Sequence, residues 1–144
     1  MGGTRDAGWR AEPIGAVRSL VELRASGIFD DCDGVEEQAA GYGIGETERI
    51  WQLTVLNLSE LDGQWEDGFE EDDYDDLSTV AEMERAYRDG VPPPPIIVVR
   101  HAPQTFWTGQ TTSITALDGL HRVTAARSAK MLEIASWIGE ATPV

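Results

Sequence analysis

Four residues with chemical potential stand side by side in the stretch ITALDGLHRVTAARSAK: Asp118, Gly119, His121 and Arg122. No acidic residue occurs from Gly119 to Leu132, yet His121, Arg122, Arg127 and Lys130 all do. The chain as a whole carries a net charge of −15. A local reversal of sign at one turn suits an anion. A glycine followed at once by a helix offers unpaired backbone N–H groups to such a ligand. Gly119 leaves room for a phosphate and permits an unusual backbone angle. His121 and Arg122 would add charge from the first helical turn, and Asp118 is suited to cap it. Proton transfer, if any occurs here, falls to Asp118 or His121. The phosphate contacts expected are Gly119, Leu120, His121 and Arg122. Arg127 and Lys130 sit on later turns and read as solvated surface.

Those residues need a strand to deliver them and a helix to receive them. The segment Ser113 to Leu117 reads as the return arm of a hairpin, with the turn at Gly109-Gln110 and the outgoing arm near Thr105 to Thr108. Leu120 to about Met131 reads as a helix, and EIASWIGE as a closing strand. Upstream, VPPPPIIVVR is a stiff polyproline lead into a buried strand, Ile96 to Val99. LSTVAEMERAYRDG has a helical stripe of Val80, Met83 and Tyr87, a cap at Ser78 or Thr79, and a stop at Gly90. Trp51, Leu53 and Val55 alternate as a strand. PIGAVRSLVELRASG reads as an amphipathic helix opening at Pro13 and stopping at Gly27, with Ile14, Val17, Leu20 (or Val21) and Leu23 (or Arg24) along one side. The glycines Gly41, Gly43 and Gly45 read as a plain loop, and His101 as a loop residue. Strands and helices therefore alternate, which predicts an α/β fold with a mixed sheet and flanking helices.

Composition narrows the classes of function. At 144 residues, 41% of them hydrophobic, the chain can build one core. Strong acidity opposes unspecific binding to nucleic acid or to an anionic membrane. The single cysteine, Cys32, allows no internal disulfide and fits a reducing compartment. No membrane span or signal peptide is expected, so the reading is a soluble cytoplasmic protein. Between Glu60 and Asp76 there are ten acids and no base, which accounts for −10 of the −15. Self-repulsion should keep most of that run extended or mobile. Its spacing is not a calcium loop, and no His/Cys set has metal-site spacing.

PPPPIIVVR followed by ITALDGLHRVTAARSAKMLEIASWIGE resembles the ParB/sulfiredoxin superfamily. The match runs from Arg49 to Glu140, and residues 1–48 would then form an N-terminal helical extension to a domain at 49–144 with an acidic loop at 60–76. The resemblance implies a pocket for the phosphates of ATP, ADP or another nucleotide, with Mg²⁺ as a companion ion. By position it assigns phosphate contacts to Gly119, His121 and Arg122, with Asp118 beside them. Sulfiredoxins have a catalytic cysteine where this chain has Leu120, so sulfinic acid reduction is not expected. A DNA-binding segment like that of the partition clamps is not expected either. Two functions follow from the resemblance. One is a small phosphotransferase acting on a hydroxyl substrate, with a base among Glu60, Asp62 and Glu66. The other is a non-catalytic nucleotide sensor, regulator, antitoxin or DNA mimic that docks a basic protein partner through residues 60–76.

Overall fold

The computed structural model describes residues 13–28, 34–61, 74–91, 93–105, 109 and 111–141. Strand β1 (Val17–Arg18) leads into helix α1 (Leu20–Ala25), then α2 (Val35–Gly41), β2 (Trp51–Asn57) and a 3-10 turn (Leu58–Leu61). Helix α3 (Tyr74–Arg88), β3 (Ile96–Thr105), β4 (Thr111–Asp118), α4 (Leu120–Ser128) and β5 (Glu133–Glu140) complete it. The five strands form one mixed sheet in the order β1-β2-β5-β3-β4. Only β3 and β5 run parallel; the other pairs are antiparallel. This is the mixed α/β architecture the alternating pattern predicts.

The central strand explains its own sequence. Ile96, Ile97, Val98 and Val99 are each 0% exposed. Such a run is apolar at every position because both faces are covered. On one face Ile96 and Val98 join Val80 and Tyr87 of α3 and Val123, Ala125 and Ala126 of α4. On the other, Ile97 and Val99 join Trp51, Trp137 and Leu117, and above them Leu20, Leu23, Val35 and Ala39 of α1 and α2. The segment before residue 49 thus forms a layer of the core and supplies edge strand β1. Gly139 has no side chain because a Cβ there would lie 2.9 Å from the Trp51 ring.

Several expected boundaries move. The first helix begins only at Leu20, behind a capping box in which Ser19 and Glu22 bond each other's backbone N–H. Ile14 and Val17 precede it and are exposed. Residues 35–41, expected as irregular chain, form α2. Helix α3 starts at Tyr74, so Ser78 and Thr79 lie inside it rather than capping it. Gly90 ends α3 at φ 77°, as expected. β3 continues past the expected end at Val99 to Thr105, where the expected first hairpin arm begins, with register shifts between Ile97 and Val98 and between Arg100 and Gln104. His101 is part of that strand, stacked on Tyr42 at 5.3 Å. Its Nδ1 faces the Ala102 carbonyl at 2.7 Å and so carries the hydrogen, which leaves Nε2 to accept from the Thr115 hydroxyl at 2.7 Å. Residues 1–12, Cys32, most of the expected outgoing hairpin arm (106–108), Gln110 of the expected turn and most of the acidic run, 62–73, lie outside the described residues. Among those described, no helix is long and apolar enough to cross a membrane.

Candidate functional site

The expected site forms where β4 meets α4. Asp118 ends the strand, Gly119 turns the chain at φ 118°, ψ 26°, and Leu120 begins the helix. The left-handed angle favours glycine, and a second constraint adds to it. A Cβ on Gly119 would lie 2.5 Å from Cγ2 of Ile96. Ile96 therefore fills the space that a side chain at Gly119 would take. Gly119 itself is the cap residue and has no side chain with which to bond the helix's first N–H groups. Asp118 stands one residue before the cap position that its type suggests.

Asp118 and Arg122 have turned toward each other. The guanidinium Nη2 donates to Asp118 Oδ2 at 2.6 Å, and each side chain is 1% exposed. Nη1 of Arg122 donates to the carbonyl of Pro95 and, at 3.3 Å, to that of Pro94. One arginine therefore ties the polyproline lead of β3 to the end of β4 and the start of α4. Such a desolvated pair is held by hydrogen bonds on both partners. The expectation that Arg122 meets phosphate is corrected by this geometry: its head group is buried against carbonyl and carboxylate oxygens. The same geometry removes Asp118 from the role of proton acceptor.

His121 remains at the surface side of the junction. It is half-buried in the first turn of α4, and that turn contains no acid. The helix start therefore offers backbone N–H groups, the positive end of the helix dipole and one imidazole. Farther along, Arg127 is no free surface cation: Nη2 donates to the Leu61 carbonyl at 2.7 Å and pins the 3-10 turn. Lys130 is exposed in the turn after α4, at φ 59°. Among the described residues no group of three His, Cys, Asp or Glu side chains is placed to hold a metal.

Sequence reasoning missed a second feature. A cleft of about 870 Å³ opens on the face of the sheet that carries α3 and α4, where those helices leave strand uncovered. Its floor includes Gln52, Thr54 and Leu56 of β2 and Ile138 of β5, with Arg100 and Glu140 at one end. No residue from 118 to 122 lines it. The one signal for it in the sequence was polar residues alternating with Trp51, Leu53 and Val99 on strands otherwise apolar. That alternation shows a half-covered face but not how far the helices extend over it. Glu60, one of the carboxylates expected as a base, lines the cleft and accepts the Asn57 N–H at 3.1 Å. No protein-family model, no curated protein and no solved structure matches the chain.

Proposed function

We propose that the chain binds the phosphates of a nucleotide at the β4–α4 junction, in the manner of a ParB/sulfiredoxin-like domain. The observation that carries this reading is the start of α4 directly behind a left-handed glycine, with His121 in an acid-free first turn. The backbone N–H groups of that turn and the His121 ring are the phosphate contacts. Arg122 acts one layer below, fixing the turn through Asp118 and the Pro94 and Pro95 carbonyls. An ATP-type nucleotide fits the donor set, which is all N–H and imidazole. Any Mg²⁺ would be held chiefly by the nucleotide's own oxygens.

In its catalytic form the reading is a small phosphotransferase. The transferred phosphoryl group leaves the nucleotide for a substrate hydroxyl oxygen, and the hydroxyl proton goes to a base. Asp118 is engaged by Arg122, which leaves His121 as the base beside the turn and Glu60 as a more distant one. Engagement of Asp118 also favours a second reading, a nucleotide sensor without turnover.

Titration calorimetry of the whole chain with ATP, ADP and CTP, with and without Mg²⁺, tests the binding. Heat of binding to at least one nucleotide is expected, with affinity about tenfold lower in His121→Ala. Absence of heat with all three removes the proposal. ATP consumption with small hydroxyl compounds then separates enzyme from sensor.

A further inference from the structure

The cleft on the sheet face has a polarity of its own. Glu140 is in register with Arg100, and Ile138 with Gln52. Thr54 pairs with Ser136 and Leu56 with Ile134, so the floor can be read in order along β5. It begins with a charged end, Arg100 and Glu140, and continues through Gln52 and Ile138 to Thr54 and Leu56. At about 3.3 Å per residue, the six steps from Glu140 to Ile134 span roughly 20 Å.

Most of the charges around this floor are already committed. Arg49 donates to both Glu22 carboxylate oxygens, at 2.8 and 3.0 Å. Glu48 accepts the Gly45 N–H, and Glu60 accepts the Asn57 N–H. Arg100 differs. Its contact with Glu140 is 4.0 Å long, and the two side chains are 46% and 76% exposed. Among the lining residues it is the cation most easily drawn to a new partner. A pair so loose and exposed contributes little. Glu48, Glu60 and Glu140 in the lining repel a polyanion more strongly than a single negative charge.

We infer that this cleft is a binding site for a small organic monocarboxylate with an elongated, partly apolar body. The carboxylate takes Arg100 in a two-pronged, charge-assisted contact. The carbon body lies over Ile138 and Leu56, and the Gln52 amide and Thr54 hydroxyl bond any polar group along it. The volume, about 870 Å³, suits one such molecule. This inference is independent of the proposed phosphate contacts, none of which lines the cleft.

Hexanoate and its neutral counterpart hexanamide are the probes, titrated into ¹⁵N-labelled whole protein. Hexanoate is expected to shift the amides of Gln52, Thr54, Arg100 and Ile138 saturably, and hexanamide to bind about tenfold more weakly or not at all. Arg100→Gln should weaken hexanoate by about tenfold or more. Glu140→Gln removes the competing partner and should tighten it by about two- to fivefold, the measure of an exposed pair. Both side chains are exposed, so neither variant disturbs the core; unchanged dispersion of the sheet amides verifies it. Equal binding of acid and amide, or an Arg100→Gln protein that binds hexanoate as the wild type does, overturns the inference. So does Glu140→Gln binding no tighter. ATP titrated into the same sample should shift amides near His121 instead, so failure of one site leaves the other legible.

Discussion

Arg122 shows how burial changes the meaning of a residue type. Met or Leu in its place would leave Asp118 charged in a dry interior; so would Ala. Arg122→Ala is therefore expected to destabilise the protein by about 3–5 kcal/mol, the range for breaking a buried pair from one side. Urea unfolding measures it. A loss below about 1 kcal/mol would show that the pair is solvated in solution. Removing both partners, as in Asp118→Leu with Arg122→Met, should cost less than either single change because no charge is stranded. Gly119→Ala meets two penalties: a left-handed angle that disfavours any Cβ, and Ile96 at 2.5 Å. About 2–4 kcal/mol is expected from strain and overpacking together. Lys130 presents the opposite case. It occupies the left-handed position after α4, where Met131 N–H reaches back to the Ala126 carbonyl and Lys130 N–H to that of Arg127. That pattern is the Schellman motif, which glycine fits best. Lys130→Gly should stabilise by about 1 kcal/mol in the same urea experiment.

At the scale of elements, the strands were the most legible part of the sequence and the short helices the least. Ile96 to Val99 declared a strand buried on both faces because four consecutive apolar residues leave no other economical burial. Val80, Met83 and Tyr87 declared α3 through their spacing. Helix α2 escaped because its only buried residues are Val35 and Ala39, a stripe too short to show a period. The start of α1 escaped because Pro13 and Gly27 were read as its punctuation while Ser19 and Glu22 form the actual cap. The turn at Gly119 was legible from Asp-Gly before a helix, but the inward swing of Asp118 and Arg122 was not. Their spacing of four spans the turn into the helix, and only the packed structure shows which side of it is dry. The first layer of helices also titrates. Arg49, with the Ser19 N–H, holds the Glu22 carboxyl below its ordinary range, and Arg24 does the same to Glu36 through bonds from Nε and Nη2. Depressed carboxylates stabilise above their unfolded pKa, and that contribution disappears as pH falls through the folded values. The α1–α2 layer should accordingly loosen in acid before the α3–α4 layer. Hydrogen exchange at pH 7 and near pH 3 checks the order; faster opening of α3 and α4 at acid pH would contradict it.

At the scale of the molecule, the sheet is a partition between two cores, and each core needs its own helices. Residues 1–48 were expected as an extension to a domain at 49–144. Six sheet side chains bear on that division: Trp51, Leu53, Ile97, Val99, Leu117 and Trp137 lie under the layer that α1 and α2 provide. Trp51 and Trp137 are each 0% exposed. Without the layer these six lose much of their cover, at about 1.5–3 kcal/mol for each large apolar side chain fully exposed. The upper sum is roughly 9–18 kcal/mol, as large as the whole stability of an ordinary domain. Neighbouring side chains would shield part of this area, so the real loss is smaller, but it also includes the edge pairing of β1 with β2. A fragment of residues 49–144 should therefore fail to fold alone. It should show no cooperative thermal transition, bind an apolar dye and have collapsed amide dispersion, while the whole chain melts in one step. A fragment that melts cooperatively with native-like dispersion would establish residues 49–144 as an autonomous domain. It would also show that the second core is dispensable to the turn at Gly119, because Ile96 and Arg122, which shape that turn, face or bond to the polyproline lead and β3 rather than to α1 or α2.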